Sequence, residues 1–483
     1  MSEYDDINLY KHSNKKYNIK SNSIGSGAFS QVYDCIKLKK ENEDYVVKVQ
    51  LIADKHYAIT ELNILNKIKK NNSKFLEKNI NHYNNSNIII HTDYYLSRKY
   101  IYIIYEKCHV NLELFNVKYL KKYNKQLPLF IIKKIIYSIV NGIAELNFNN
   151  IIHCDIKLDN ILIKFCKTSF KSNGKQIHKY IESMDDFLEL IDTNIDGDRE
   201  MIINSAFELK IIDFNKSCFS NQIYKSINIQ TLYFQAPEII LGYNKYNNSV
   251  DSWSIGCIIW WLLTSEIFFD VYNHNLDYGS LYQNYEFDFN DNNTNNTNNT
   301  DDTNTTITVL TSSSSNKSVG TINSISNISN NSNTINSRQV RVGNASSNSF
   351  SSNSSISESS VSTNSITEYG SYNESKLENY IYLLKLNSYL GEYPKHLIKG
   401  KKVDYYFANK QLLCNTIHVK KIDMLQYLSN KIENFKVDNS QYSKYYKYIS
   451  NIYNNVLSKI FVYDYNKRYT PSEILEYLNI SAK

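Results

Sequence analysis

In the first part of the chain, three short apolar runs are separated by a segment whose apolar residues recur at helical spacing. Three runs of β-branched and aromatic residues have the length and composition of buried strands: YVVKVQLI at 45–52, NIIIH at 87–91 and YIYIIYE at 100–106. Between the first two runs, apolar residues recur at the spacing of one helix face: Ala58, Leu62, Leu65 and Ile68. A longer helical pattern runs from Leu127 to Phe148. The pattern predicts a small β-rich unit followed by a larger helical one, an α+β fold.

Two segments interrupt this periodic text. Residues 166–207 form a polar, acid-rich interval that ends before the β-like run ELKIIDF at 208–214. Residues 285–375 are a low-complexity tract of Asn, Ser and Thr. The tract holds few aromatic residues, so it cannot bury enough apolar surface to offset its ordering entropy, and we expect it to be disordered. Helical periodicity resumes at Leu377.

Composition narrows the class of protein only a little. The chain has 483 residues, 42% of them hydrophobic, which is enough for a sizeable core. A formal charge of +6 is modest for this length, so we expect no direct contact with nucleic acid or an anionic membrane. The longest apolar run, CIIWWLL at 257–263, is too short to span a bilayer, and the polar N-terminus has no signal-peptide core. The seven Cys are scattered without a CxxC pair, which predicts reduced thiols and residence in the cytoplasm, the nucleus or both.

A candidate phosphate-binding loop lies near the N-terminus. In IGSGAFSQV at 24–32, Gly25 and Gly27 would let backbone N–H groups approach phosphate oxygens. Two spaced glycines are more often an ordinary turn, but Lys48 follows inside the strand-like VVKV. A lysine in a buried strand needs a partner, and Glu61, beside the helical stripe, could supply one. Such an ion pair holds the α- and β-phosphates of ATP in phosphoryl-transfer sites, although Glu61 alone would pass for a solvated helix charge.

The stretch HCDIKLDN at 153–160 is a polar loop between two apolar runs. Asp155 could accept the proton of a substrate hydroxyl, Lys157 could neutralise charge on a transferring phosphoryl group, and Asn160 could hold a metal ion. A second metal ligand is available in KIIDFNKS, where a β-branched run ends at Asp213. The alternative for each stretch is a polar turn, but the spacing D-x-K-x-x-N after a histidine is rarely accidental.

The stretch QTLYFQAPE at 230–238 follows these residues. Thr231 could hydrogen-bond near Asp155, and Glu238 would require a buried cation, for which Arg468 is available. Asp251 begins the most apolar helical run, where it could accept backbone N–H groups and brace the catalytic loop.

Taken together, these stretches stand in the order of the eukaryotic protein kinase superfamily, which the chain strongly resembles from about residue 20 to 478. The resemblance implies a bilobal kinase fold with two insertions, Mg²⁺ held by Asn160 and Asp213, and catalytic roles for Lys48, Glu61, Asp155, Lys157 and Thr231. It implies that ATP binds Ile24, Gly25, Ser26, Gly27, Val32 and Lys48. It also implies that IIYEKCHVNLELF is the hinge between the lobes, with Tyr105 at the back pocket and backbone groups of Glu106 and Cys108 bound to adenine.

The same resemblance assigns a role to each segment. In order, we expect a flexible tail at 1–18, the N-lobe at 19–105, the hinge and first part of the C-lobe at 106–165, a spacer insert at 166–207, the activation segment with more of the C-lobe at 208–284, the disordered insert at 285–375 and C-lobe helices at 376–483. Asn215 stands where kinases usually have Gly, so we expect a positive φ there, at a strain of about 1–2 kcal/mol.

Within the superfamily, the chain is most similar to the serine/arginine-protein kinases of the CMGC branch. The resemblance is carried by GAFSQVYDC, DKHYAITELNIL, LPLFIIKKIIYSIVNGI, INIQT and the region from 386 to 413. It implies a monomeric serine/threonine kinase whose protein substrates include Arg-Ser-repeat splicing factors, and hence control of mRNA splicing. Gln235 replaces the Arg of the branch, Leu158-Asp159 replace Pro-Glu, and Cys154 replaces the Arg that clamps a phosphorylated activation loop in many kinases. We therefore expect activity without phosphorylation of that loop.

Three alternatives remain open at this point. One is a dual-specificity Tyr-regulated or LAMMER-type kinase of the same branch with other substrates, to which Cys154 also points. Another is a pseudokinase scaffold that uses the fold only for binding. A third is an interaction module built on the Asn/Ser tract.

Overall fold

The computed structural model describes residues 16–27, 30–38, 44–78, 86–222, 226, 228–268, 364–409, 411–412, 421–434 and 439–481. The chain divides into two compact units, Met1–Asp270 with Lys376–Lys483 and Val271–Ser375. Of the second unit, the described residues include only the start of one helix. The remaining elements belong to the first unit.

A five-stranded antiparallel sheet forms the N-terminal part of the first unit, in the order β1-β2-β3-β5-β4. The strands are β1 Tyr17–Gly27, β2 Ser30–Lys37, β3 Asp44–Leu51, β4 His91–Leu96 and β5 Tyr100–Glu106. The register sets Lys48 of β3 between Val32 of β2 and Ile103 of β5. A 3₁₀ turn, Ile52–Asp54, leads into helix α1, Lys55–Lys78. All four residues of its predicted apolar stripe are buried, so the stripe is the face that packs on the sheet.

The polar loop at 153–160, called the catalytic loop below, is framed by short strands. After β6, Val110–Asn111, come helices α2, Leu112–Tyr123, and α3, Leu129–Phe148. Strand β7, Ile151–Ile152, pairs with β12, Cys218–Phe219, and β8, Ile161–Phe165, lies between β6 and β11, Phe207–Ile211. The polar stretch at 153–160 therefore begins and ends at buried strands, which fixes its position.

The interval 166–207 is folded and contributes to the core. It forms a hairpin of β9, Thr168–Ser172, and β10, Lys175–Lys179, followed by helices α4, Met184–Asp192, and α5, Arg199–Ser205. Ser183 and Asp186 form a capping box at the start of α4. Phe187 of α4 is fully buried and its ring contacts those of Phe115, Phe165 and Phe207. Since the interval reads as polar from composition, its apolar side chains were not recognised as core residues.

The rest of the unit is helical. Helix α7, Ser249–Thr264, is buried along its whole length, as expected for the most apolar run of the sequence. The other elements are α6 Pro237–Ile240, α8 Asn364–Leu390, β13 Phe407–Ala408, β14 Gln411–Leu412, α9 Met424–Asn434, α10 Asn439–Ile452, the π-helical turn Tyr453–Leu457, α11 Ser458–Ile460 and α12 Pro471–Ser481. The remaining 3₁₀ turns are Leu158–Asn160, Leu232–Phe234, Lys395–Leu397 and Val403–Tyr405.

Several sequence expectations are modified by the structure. The run NIIIH at 87–91 is not a separate strand: Ile88 forms a single parallel bridge to Ile211, and only His91 belongs to β4. The tail expected at 1–18 lies outside the described residues up to residue 15, and β1 begins at Tyr17. The tract expected at 285–375 lies outside them up to residue 363, and α8 begins at Asn364, before the expected end of the tract. Among the helices that the structure describes, none has the length and apolarity needed to cross a membrane.

Candidate active site

Lys48 lies at the centre of a buried charge network. Its Nζ is 2.8 Å from Glu61 Oε2 on α1 and 3.1 Å from Asp213 Oδ1, which follows β11. Burial alone would lower the pKa of Lys48, but the two carboxylates outweigh it and the pKa is raised above its ordinary value. Burial would likewise raise the pKa of Asp213, yet Lys48 holds it below the ordinary value. Both partners are therefore charged near neutral pH, and the sequence-predicted pair of Lys48 and Glu61 is formed.

Tyr105 takes part in the same network. It is buried in β5, and its hydroxyl donates to Glu61 Oε1 over 2.8 Å. Glu61 thus has one partner on each carboxylate oxygen, which satisfies a buried anion. The sequence places Tyr105 at the back pocket but gives no signal for this hydrogen bond, because strand β5 and helix α1 meet only in the folded chain.

Asp251 of α7 holds the backbone of the catalytic loop. Asp251 Oδ2 accepts from His153 N at 2.8 Å and Oδ1 from Cys154 N at 3.0 Å, as the sequence predicts. Burial raises the pKa of Asp251 to about 7, although the two backbone donors act in the opposite direction. The His153 ring accepts at Nδ1 from Asp155 N and donates from Nε2 to the Ile212 carbonyl, and burial lowers its pKa, which keeps it neutral. The loop backbone is therefore fixed by partners on two sides.

Asp155 presents a carboxylate with a partner on each oxygen. Thr231 Oγ1 donates to Oδ1 at 3.1 Å, and the Lys216 ammonium lies 3.3 Å from Oδ2. Asn160 Nδ2 donates to the Asp155 carbonyl at 2.8 Å. The sequence predicts Lys157 as the cation of this site, but its ammonium makes no hydrogen bond or ion pair with any residue that the structure describes; only its backbone carbonyl is bonded, to Asn160 N. The structure brings Asp155, Thr231 and Asn160 together as predicted and adds Lys216, which the motif did not single out.

Asp213 and Asn160 fit a divalent cation that also binds phosphate oxygens. Asp213 is an ionised carboxylate, and the amide nitrogen of Asn160 is already used, which leaves its oxygen available as a ligand. The described residues contain no cluster of three or more His, Cys, Asp or Glu that would hold a metal by themselves. A pair of protein oxygen ligands completed by phosphate is the arrangement typical of Mg²⁺ in phosphoryl-transfer sites.

The expected strain at Asn215 is absent. Within Asp213-Phe214-Asn215, the residue with a positive φ is Asp213, at 66°. The φ of Asn215 is not positive. Asn215 has a different role, since its Oδ1 accepts from Gln50 Nε2 of β3 at 3.2 Å. In Asp-Phe-Asn, the left-handed conformation falls on the first residue and not on the third, where the usual Gly of kinases predicted it.

The glycine-rich loop is compatible with phosphate. Gly25 and Gly27 lie at the end of β1, and neither has a positive φ. A Cβ atom at Gly25 would meet Val32 at 3.9 Å, and one at Gly27 would meet Ser30 at 3.5 Å, both ordinary contacts. The fold itself thus does not require glycine at either position. Close approach of a ligand to the backbone is the reason that remains. Ile24 is exposed on the same strand and Val32 pairs with Gly25 across the hairpin.

The segment predicted as the hinge joins β5 to β6. Glu106 ends β5 and its carboxylate pairs with Lys164 at 2.6 Å, so the adenine contact expected at this residue falls to its backbone. Cys108 makes no backbone hydrogen bond to another described residue, whereas its neighbours Lys107 and His109 donate to the carbonyls of Asp44 and Ile163. The free backbone groups at Cys108 are what an adenine ring would require.

The activation segment is fixed at its C-terminal end. Glu238 and Arg468 form a buried bidentate ion pair with N–O distances of 2.7 and 3.1 Å, as predicted. Gln235, which replaces the Arg of the branch, donates to the Ile229 carbonyl at 3.0 Å and accepts at its own carbonyl from Tyr382. The Gln residue therefore holds the segment by neutral hydrogen bonds.

Cys154 lies where most kinases have a basic residue, and its side chain is fully buried. The sulfur is 3.8 Å from Cys218 Sγ and 4.0 Å from the Tyr246 hydroxyl. Burial raises the pKa of the Cys154 thiol well above its ordinary value, so the group is uncharged. The position thus offers no cation to a phosphorylated loop.

Comparison with known proteins agrees with this geometry. The model of the protein kinase domain matches residues 18–330, more than half of the chain. The chain is 29% identical to a dual specificity tyrosine-phosphorylation-regulated kinase 2 of Drosophila melanogaster, over 49% of this chain and 26% of the relative. It is 30% identical to a dual specificity protein kinase YAK1 homolog of Arabidopsis thaliana, over 51% and 21%, and 26% identical to the kinase named clkA of Dictyostelium discoideum, over 56% and 27%.

These relatives belong to the CMGC branch, and the matched region spans about a quarter of their length. The expected fold class is confirmed, since the antiparallel sheet and the helical part have the arrangement of a kinase. These relatives do not confirm the predicted membership of the serine/arginine-protein kinases in particular. The chain belongs to the protein kinase domain family.

Proposed function

We propose that this chain is an active, ATP-dependent protein serine/threonine kinase. The observation that carries the proposal is the unbroken set of contacts from Glu61 through Lys48 to Asp213, with Asp155 oriented nearby by Thr231. A chain that used the fold only as a scaffold would have no need to keep a buried lysine charged or a carboxylate oriented at the loop.

Each residue has a defined task in the proposed reaction. Lys48, oriented by Glu61, binds the α- and β-phosphates. Asp213 and Asn160 would hold Mg²⁺, which would neutralise phosphate charge. Asp155 orients the substrate hydroxyl and accepts its proton as the oxygen forms a bond to the γ-phosphorus. The bond from that phosphorus to the bridging oxygen breaks, and ADP leaves. The Lys157 ammonium has no protein partner among the described residues and remains available for the phosphoryl group.

The substrate class is the finer part of the proposal. The resemblance to serine/arginine-protein kinases in GAFSQVYDC, INIQT and residues 386–413 supports Arg-Ser-rich splicing factors and a role in mRNA processing. The names of the relatives support an alternative, a dual-specificity kinase that also phosphorylates tyrosine. Cys154 is compatible with that alternative.

The test is a kinase assay with the purified full chain, Mg²⁺ and ATP. Autophosphorylation and peptide phosphorylation should be present in the wild type and fall by on the order of 10²–10⁴-fold in Asp155→Ala, since a general base contributes that much. Asp404→Ala, an exposed aspartate without a described partner, is the matched control. A wild-type chain that transfers no phosphate under these conditions is the pseudokinase, and the proposal is then wrong.

Peptides decide between the substrate classes. An Arg-Ser-repeat peptide should be preferred over a Ser-Pro peptide of equal charge and over the same repeat with Tyr in place of Ser. Preference for Ser-Pro, or equal rates on Tyr, would favour the dual-specificity alternative instead.

A further inference from the structure

Lys216 is the described cation nearest to the candidate catalytic base. Its ammonium is 3.3 Å from Asp155 Oδ2, while Thr231 occupies Oδ1. The Asp155 backbone is already fixed by Asn160 and His153, so these two contacts are what remains to set the rotation of the carboxylate. The ammonium of Lys157, at the position expected to supply the charge, has no described partner. The charged neighbour of Asp155 thus comes from the segment after Asp213, not from the catalytic loop.

The main chain around Lys216 has fixed neighbours on both sides. Before it, Asn215 accepts from Gln50 of β3. After it, Ser217 Oγ donates to the His153 carbonyl at 2.9 Å and Cys218 pairs with Ile152 of β7. Lys216 therefore projects from a stretch that is bonded both to the sheet and to the catalytic loop, and its approach to Asp155 does not depend on a freely moving loop.

The exposure of the two partners indicates how the pair meets substrate. The Asp155 side chain is only 6% exposed, and the Lys216 side chain is 42% exposed. A hydroxyl that donates to Asp155 must lie within about 2.6–3.2 Å of a carboxylate oxygen. The Lys216 ammonium, itself at contact distance from Oδ2, borders that position.

We propose that Lys216 is a positioning residue for phosphoryl transfer: with Thr231 it fixes the orientation in which the Asp155 carboxylate accepts the proton of the substrate hydroxyl. This inference rests on the proposed kinase function. A cation held beside the base costs no reorganisation during the reaction, which is how an oriented charge lowers a barrier. The rival is an inhibitory latch, in which the same ion pair occupies the base and must break before substrate binds.

Steady-state kinetics with the full chain separate these roles. Lys216→Met should lower kcat roughly three- to tenfold with the KM for ATP unchanged, because a half-exposed ion pair makes a modest contribution. Lys216→Arg restores the cation and should recover most of kcat. Lys467→Met, at a largely exposed lysine 3.8 Å from Asp464, is the control and should keep the wild-type kcat. If Lys216→Met misfolds, Lys216→Gln is assayed with the same expectation.

Each other outcome overturns the inference. A faster Lys216→Met enzyme identifies the latch, and an unchanged kcat identifies a surface lysine without effect. Equal losses in the Met and Arg variants together with a raised KM for ATP identify a structural role. A wild-type chain without kinase activity refutes the proposed function and, with it, the role of Lys216, whereas an active chain with a normal Lys216→Met variant refutes Lys216 alone.

A thermal double-mutant cycle tests the ion pair without turnover. The Tm of Lys216→Met, Asp155→Asn and the double variant should be non-additive, because each single change removes the same contact. Additive changes in Tm would mean that the two groups do not interact in solution, and the inference would fall even if kcat changed.

Discussion

Buried charged residues of this chain take their partners from distant parts of the sequence. Lys48 of β3 binds Glu61 of α1 and Asp213 after β11, and Tyr105 of β5 completes the set. Moving a charged side chain out of water costs several kcal/mol. Removing one member of this network would therefore leave the others buried without a partner and destabilise the fold. The same dependence makes single substitutions informative.

The Tyr105 hydroxyl is a test of this dependence. Tyr105→Phe leaves Glu61 Oε1 buried without a donor, so we expect a loss of about 1–3 kcal/mol in the free energy of unfolding. If Glu61 then turns away from Lys48, kcat/KM for ATP falls as well. Denaturant unfolding and ATP kinetics measure the two effects. Tyr100→Phe, in the same strand and without a described hydrogen bond from its hydroxyl, should change neither. Equal effects of both variants would refute the role of the hydroxyl.

Glu145 predicts a pH dependence of stability. It is fully buried in α3, where Ser86 Oγ donates to Oε2 at 2.7 Å while Oε1 has no partner. Burial raises its pKa to about 7, above the ordinary value of 4.5, despite the opposing effects of Ser86 and Lys210. The folded chain therefore binds a proton that the unfolded chain has released. The contribution of Glu145 is fully present below pH 4.5 and is lost as the pH rises towards 7.

Glu145→Gln replaces the protonated carboxyl by a neutral amide of the same shape. The variant should gain stability over the wild type as pH rises from about 5 to 7, by about 1.4 kcal/mol per pH unit, and the gain should level off above 7. Urea unfolding at several pH values measures the difference. Glu113→Gln, at an exposed position of α2, is the control. A gain that does not change with pH would show that the proton is not involved.

At the scale of secondary-structure elements, the sequence predicted those helices, strands and motifs that depend on neighbouring residues along the chain. The strands at β3 and β5, the stripe on α1 and helix α3 follow from apolar periodicity, and Asp155, Asn160 and Asp213 follow from short motifs. The run NIIIH does not form its own strand because only Asn87 and Ile89 exchange backbone hydrogen bonds with a neighbouring strand residue, Ile211, before His91 enters β4. Lys216 and the hydroxyl of Tyr105 were missed because their partners are set by tertiary contacts, which no spacing encodes.

The interval 166–207 shows the same limit. Its polar composition hides the five buried apolar residues of α4, Phe187 among them, and the amphipathic pattern of that helix is only nine residues long. Lys134 of α3 strengthens the attachment, because its ammonium donates to the carbonyls of Asn204 and Phe207. The interval is thus part of the C-terminal core, and its removal would expose the aromatic cluster.

Phe187→Ala tests that assignment. The ring contacts three other phenylalanines, so its loss should cost about 3–5 kcal/mol in the free energy of unfolding. Met201→Ala, in α5 of the same interval with 63% of the residue exposed, should change stability by less than about 0.5 kcal/mol. Chemical denaturation of both variants gives the comparison. A small effect at Phe187 would mean that the interval is an appendage after all.

At the scale of the whole molecule, the catalytic loop and activation segment are joined without a phosphate. Gln230 N donates to the Cys154 carbonyl at 2.7 Å. The Gln230 side chain donates to the Val250 carbonyl and to Ser254 Oγ, and accepts from Ala236 N. Gln230 also has a positive φ of 62°, a conformation that persists only where its surroundings hold it. The buried, uncharged thiol of Cys154 could not bind a phosphorylated loop, so neutral hydrogen bonds perform the task.

This arrangement predicts a kinase that does not require phosphorylation of its activation segment. The chain is treated with a protein phosphatase, the phosphatase is removed, and intact mass verifies that no phosphate remains. The initial rate of peptide phosphorylation should then be unchanged. Gln230→Ala should lose most activity under the same conditions, because it leaves the buried Ala236 N–H without its acceptor and removes the side-chain link to α7. Gln222→Ala, at an exposed position of the same segment, should remain active. Loss of activity on phosphatase treatment, restored by incubation with Mg²⁺ and ATP, would instead place a phosphate at the centre of activation.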